Sequence, residues 1–218
     1  MLSGLPTWVE RTFSAPRFGP YLRAFPGDWL TAWDLYRWNM EVSAAFYIPL
    51  QCLEISLRNA EHDRLRAHYG RDDWWRTAPL GRDQLRKIAK AEEDARGKRD
   101  RPASPDDSVT ELPFGFWASL LNRTHDRHLW VPALHRAFPG YRGDRETLRD
   151  NFRSVVLLRN RIMHHEPIHH RHLAADHDKI YRLLGYIEPE VIVWARASDQ
   201  VPEVLARRPI GGVSDGLS

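Results

Sequence analysis

The stretch Asp144-Arg145-Glu146-Thr147-Leu148-Arg149-Asp150-Asn151-Phe152-Arg153-Ser154-Val155-Val156-Leu157-Leu158-Arg159-Asn160-Arg161-Ile162-Met163-His164 decides how this chain folds. Projected at about 100° per residue, Leu148, Phe152, Val155, Ile162 and Met163 fall on one apolar stripe. The spacing predicts a helix from near Asp144 to about His164. Pro167 disfavours helical backbone at Glu166 and ends the run. Arg159 falls near the middle of the stripe, whereas Asn160 and His164 lie one turn apart on a more polar face.

The same period recurs outward from this helix. Asp28 reads as the cap of a helix through Trp29, Leu30, Trp33 and Tyr36 to about Phe46. Pro49 then kinks or restarts the chain. A second helix puts Leu50, Leu53, Leu57 and Leu65 on one face, and Gly70 closes it. A charged helix is predicted over 82–96, and 97–107, with Pro102 and Pro105, reads as an exposed loop. Short helices are predicted after the run 111–117 through Leu121, over 129–138, over 176–184 and over 189–197. Residues 211–218 read as a frayed end. Strand-like alternation is scarce and no repeat appears. The fold class is therefore all-α, in a single domain, with an N-terminal extension (1–27) packing on a helical core (28–200) and a C-terminal tail (201–218).

Composition narrows the class further. The 218 residues include nine tryptophans and 42% hydrophobic residues, enough for one well-buried core. Cys52 is the single cysteine, so no internal disulfide forms, and its place beside Leu53 makes it a small core residue. No apolar run approaches the ~20 residues of a membrane span. Residues 1–6 lack the basic-then-apolar pattern of a secretory signal, and a cytoplasmic protein is expected. The net charge of +3 permits nucleic-acid binding without demanding it. Six of the eleven histidines lie between positions 164 and 177, so this segment is expected to become cationic in acid.

The run from Arg159 to Pro167 groups the side chains that hold a phosphodiester and move its protons. Arginine is a fixed cation whose planar fork fits phosphate oxygens. Histidine titrates nearest neutrality and can give or take a proton. Asparagine can orient either one. An arginine on a core-facing stripe must be paired or line a cavity, because an unpaired buried charge costs several kcal/mol. Arg159 is thus either in an ion pair, with Glu54 or Glu111, or directed into a cleft or subunit interface that accepts phosphate. Arg159 and His164 are five positions apart and diverge by about 140° on a regular helix. They can meet at one phosphate if the helix ends near His164, or if a second copy of the helix supplies the partner across a two-fold axis.

Four stretches resemble the Abi-like (abortive infection) family of the HEPN superfamily. They are Tyr36-Arg37-Trp38-Asn39, Leu53-Glu54-Ile55-Ser56-Leu57-Arg58-Asn59-Ala60, Glu111-Leu112-Pro113-Phe114-Gly115-Phe116-Trp117, and Leu157-Leu158-Arg159-Asn160-Arg161-Ile162-Met163-His164-His165-Glu166-Pro167. The last fits the Arg-x(4–6)-His motif of that superfamily. The resemblance implies a HEPN-type helical bundle with additional helices, dimerised with its motif helices facing each other. It also implies a metal-independent endoribonuclease that needs no cofactor, acts on RNA in antiphage defence or growth arrest, and leaves a 2′,3′-cyclic phosphate. On that carry-over His164 is the general acid/base, Arg159 stabilises charge on the transition state, and Asn160 orients one or the other. His164 is preferred to His165 because it shares a face with Asn160. Glu54 or Glu111 would position Arg159. Arg58-Asn59, followed too closely by His62, reads as structural, with Glu54 and Arg58 spaced for an intrahelical pair. Many HEPN proteins are not nucleases, so the alternative is a non-catalytic module that binds RNA or a protein partner.

Other chemistries fit poorly. His165-Glu166-Pro167-Ile168-His169 matches the His-Glu-x-x-His pattern of zinc peptidases, but Pro167 breaks the helix that pattern requires. His169, His170, His172 and His177 read as solvated residues beside a basic channel. No glycine-rich phosphate loop appears. Trp74-Trp75, just after a helix end, reads as a plug at the edge of the core rather than a base-stacking platform.

Overall fold

A computed structural model describes residues 6–98 and 100–210. Among these residues every regular element is helical. The longest helix is α4 (Tyr47–Tyr69), preceded by α1 (Thr7–Phe13), α2 (Ala15–Ala24) and α3 (Trp29–Ala45). Asp28 caps α3 by accepting from Thr31 N at 3.0 Å. Only Phe46 separates α3 from α4, and Pro49 sits in the first turn of α4, where its missing N–H leaves nothing unsatisfied. Gly70 ends α4 in the left-handed region at φ +68°, which glycine adopts without a Cβ penalty.

Next come α5 (Arg82–Gly97), α6 (Pro105–Glu111) and α7 (Phe114–Ser119). The stretch read as an exposed loop over 97–107 is shorter than that. Ser104 and Asp107 form a reciprocal capping box, Ser104 Oγ accepting from Asp107 N at 3.2 Å and Asp107 Oδ2 from Ser104 N at 2.8 Å. Pro105 opens the helix rather than breaking it, and Asp107 is buried. The single helix expected over 129–138 is also corrected. Pro132 interrupts it, leaving a π-type turn (Asp126–Trp130) and a 3₁₀ turn (Leu134–Ala137).

The motif helix is α8 (Arg145–Met163), capped by Asp144 accepting from Thr147 N at 2.8 Å. It is followed by α9 (Leu173–Ile187), α10 (Pro189–Arg196) and α11 (Val201–Ala206). The expected frayed end over 211–218 lies outside the described residues. No helix among the described residues is long and apolar enough to cross a membrane.

These helices enclose one core. Helix α4 packs against α7, α9 and the 134–137 turn, and α8 rests on α7 and α9. Helices α4 and α8 therefore share neighbours while touching each other only sparsely, and a groove remains between them. Trp74 and Trp75 are both buried, Trp74 beside Trp117, and Cys52 is buried on α4. At the N-terminal side α2 covers α3, burying Phe18 and Tyr21 against Tyr36.

Candidate active site in the groove between α4 and α8

The groove holds about 230 Å³ and is lined on the α4 side by Tyr47, Leu50, Gln51, Glu54, Ile55 and Arg58. Their spacing of three and four is one helix face. Arg159 and Met163, one turn apart, supply the α8 wall. Arg159 Nε donates to Glu54 Oε2 at 3.3 Å, and both side chains are only partly exposed, at 29% and 25%. Glu54 Oε1 also accepts from Phe114 N at 3.2 Å, at the start of α7. Arg159 is thus ion-paired and at the same time lines an open cleft. Its partner is Glu54, whereas Glu111 pairs with Lys98 Nζ at 2.6 Å.

Arg58 lines the same groove, and its Nε donates to Asn59 Oδ1 at 3.0 Å. The expected intrahelical pair with Glu54 does not form among the described residues. Two guanidiniums therefore face one carboxylate, and the groove lining carries net positive charge, an arrangement suited to an anion.

Asn160 and His164 lie elsewhere. Both are exposed, on a face of α8 that also presents Arg153 and the apolar Leu157, which is 52% exposed. The structure brings together Arg159, Glu54 and Arg58, and separately Asn160 and His164, as the helical projection required.

Helix α8 ends at a conformationally unusual residue. His165 N donates to Ile162 O at 3.0 Å and Glu166 N to Arg161 O at 2.8 Å. This is the Schellman termination, which places its left-handed residue at the position where glycine is favoured. Here that residue is His165, at φ +57°. Two side chains to which the sequence analysis gave no role hold the turn and the segment just after it. Arg17 donates to His165 O at 2.6 Å, and buried Asn39 accepts at Oδ1 from Ile168 N at 2.8 Å and His169 N at 3.1 Å. Asn39 was detectable as an amide on the apolar stripe of α3, with Leu35, Tyr36 and Val42 around it. Arg17 carried no comparable signal.

The His165–His169 run leaves the helix, so its histidines share no helical face and the zinc-peptidase geometry is not formed. The expectation of solvated histidines holds for His170 and His172, which are exposed, and is corrected for His169 and His177. His169 is buried against Tyr21, and burial together with the neighbouring His170 pushes its pKa down to about 4. His177 is buried with Nε2 2.6 Å from Asp199 Oδ2, and His172 caps α9 through Ala175 N. Burial and neighbouring cations also lower the pKa of His170, so His169 and His170 take up charge only in stronger acid than a free imidazole.

Compared with known proteins, the chain matches no protein-family model, no curated protein and no solved structure.

Proposed function

We propose that this chain is a homodimeric, metal-independent endoribonuclease of the Abi-like HEPN type, acting in antiphage defence or growth arrest. The observation that carries the reading is the placement of Arg159. It is held by Glu54 in a solvent-open groove beside a second arginine, while Asn160 and His164 stand on the uncovered adjacent face of the same helix. Exposed Leu157 on that face supports pairing of α8 with its copy in a second subunit, which would bring the histidine of one chain toward the arginine of the other.

In such a site His164 removes the proton from the ribose 2′-hydroxyl. The 2′-oxygen attacks phosphorus, the bond to the 5′-oxygen breaks, and that oxygen leaves with a proton returned by the protonated His164 through solvent. The products are a 2′,3′-cyclic phosphate and a 5′-hydroxyl end. Arg159 and Arg58 offset charge on the phosphoryl oxygens. Asn160 orients the histidine or the phosphate.

One observation favours a second reading, a non-catalytic module that binds RNA or a protein. Arg159 is already neutralised by Glu54, so phosphate must displace or share an existing ion pair. Incubation of the purified protein with RNA in EDTA separates the two. Cleavage that persists in EDTA, yields a cyclic phosphate and vanishes in both Arg159→Ala and His164→Ala is the expected result. RNA binding without cleavage in the unaltered chain would overturn the nuclease in favour of the module. Cleavage lost in EDTA and restored by zinc would overturn both.

A further inference from the structure

A second cavity, of about 650 Å³, opens beneath the N-terminal helices next to the groove, and Tyr47 and Met163 line both. This volume lies within the range that encloses small organic ligands. Its lining combines three features. Phe13, Tyr36, Tyr47, Met40 and Met163 give aromatic and thioether surface. Arg17 is the one guanidinium and His165 the one imidazole among the described lining residues, none of which carries a carboxylate. Polar groups are interspersed, among them Asn39, Ser43 and the phenols of Tyr21 and Tyr36.

The Arg17 guanidinium, the phenols and the Asn39 amide can each donate toward a ligand here, whereas Ser43 spends its proton on Asn39 O. Burial raises the pKa of both phenols while the nearby Arg17 charge opposes the rise, so both stay protonated at neutral pH. Asn39 Oδ1 is committed to the backbone of Ile168 and His169, which leaves its amide nitrogen as the free group. These donors around one guanidinium, with no acid among the described lining residues, favour an anion. Aromatic and methionine surface selects a flat ring beside it. A fatty acid fits less well, because hydroxyls and an amide interrupt the surface its tail would need.

We infer that this cavity binds a phosphorylated nucleoside, its ring against the aromatic and methionine wall and its phosphate on Arg17. The ligand is a free mononucleotide or the terminal nucleotide of a strand, which share that chemistry. Arg17 also donates to the carbonyl of His165, the left-handed residue next to His164. A guanidinium has donors enough for both. Occupancy therefore ties the N-terminal helices to the turn that ends α8. The binding stands on the cavity alone; its bearing on catalysis rests on the ribonuclease reading.

The test is calorimetric titration of the full chain with AMP, GMP, CMP and UMP, with adenosine and inorganic phosphate as controls. A 5′-phosphorylated DNA tetranucleotide and its unphosphorylated twin form the strand arm, since DNA lacks the 2′-hydroxyl and is not cleaved. The expected result is saturable binding of a mononucleotide or of the phosphorylated tetranucleotide. The arm that binds identifies the source. Adenosine or the unphosphorylated strand should bind at least about tenfold more weakly, as should the phosphorylated ligand to Arg17→Gln, the loss expected for one charged hydrogen bond. Ala44→Trp, which fills the mouth from an exposed position, should abolish binding. Occupancy should slow hydrogen exchange at the His165 and Glu166 amides. No binding in either arm at millimolar ligand overturns the site, as does binding unchanged in Arg17→Gln and Ala44→Trp. Unchanged exchange on saturation overturns the link to the turn. Because none of these readouts uses cleavage, failure here and failure of the ribonuclease reading are separate results.

Discussion

Glu54 on α4 and Arg159 on α8 meet across a groove at 3.3 Å, 105 positions apart in the chain. The same carboxylate holds the first N–H of α7 through Phe114. Glu54 thus joins three helices and sets where the Arg159 guanidinium stands. Glu54→Gln keeps an acceptor for Phe114 N and removes the charge. A double-mutant cycle with Arg159→Gln, read by urea unfolding, should give a coupling of about 1 kcal/mol for this partly exposed pair. Removing the carboxylate also raises the positive charge of the groove, so Glu54→Gln should bind RNA several-fold more tightly at low salt, with a steeper salt dependence. Weaker RNA binding in Glu54→Gln would show that the carboxylate matters for positioning more than for masking charge.

The two adjacent histidines should separate cleanly. His165 occupies the left-handed position of the Schellman turn at φ +57°, a conformation that costs a non-glycine residue about 1 kcal/mol. His165→Gly should raise Tm by about 2–4 °C and leave RNA cleavage within about twofold of the unaltered chain. His164 is exposed, so His164→Ala should shift Tm little while lowering cleavage by a factor of about 100 or more, the usual contribution of a general acid/base. Cleavage lost in His165→Gly and kept in His164→Ala would exchange the assignments.

Asn39 is expected to matter more for stability than Asn160. Its Oδ1 satisfies two backbone N–H groups, at Ile168 and His169, in a buried setting. Asn39→Leu leaves both donors without an acceptor, at a cost of about 2–4 kcal/mol. Asn160→Ala, at an exposed position, should stay within about 0.5 kcal/mol of the unaltered chain. Urea unfolding gives both values, and hydrogen exchange should speed up at Ile168 and His169 in the first variant only.

What the sequence disclosed follows the range of the forces involved. The caps at Asp28 and Asp144, the stop at Gly70 and the end of α8 before Pro167 are local chemistry, and all are legible within a few residues. The Ser104–Asp107 box is equally local, but Pro102 and Pro105 gave a stronger loop signal. Projection of α8 showed that Arg159 must be paired or line a cavity. It did not choose between Glu54 and Glu111, because that depends on how α4, α6 and α8 pack. The tethers from Asn39 and Arg17 join positions 129 and 148 apart, and a helical period carries no trace of them. The histidines after 164 misled for a related reason. Their density suggested a solvated basic segment, whereas the returning chain buries His169 beside Tyr21 and His177 beside Asp199.

Glu61 yields the clearest pH prediction. It is fully buried on α4, and neither carboxylate oxygen has a hydrogen-bond partner among the described residues. Burial alone raises its pKa well above the ordinary 4.5. In the unfolded chain the group ionises near that ordinary value. Below it both states are protonated, and the contribution of Glu61 to stability is fully present. As pH rises, the unfolded state loses its proton first and is favoured, so the contribution is lost progressively until pH passes the folded-state value. Glu61→Gln has the same shape and does not titrate. The stability of the variant minus that of the unaltered chain should therefore be small near pH 4 and grow steadily toward pH 8. Buried His62 and His169, whose pKa values burial lowers, titrate in both proteins and largely cancel in the difference. Urea midpoints at pH 4, 5, 6, 7 and 8 measure it directly. A difference that stays flat over that range would mean that Glu61 ionises in the folded chain as readily as in the unfolded one, which its unpartnered burial does not permit.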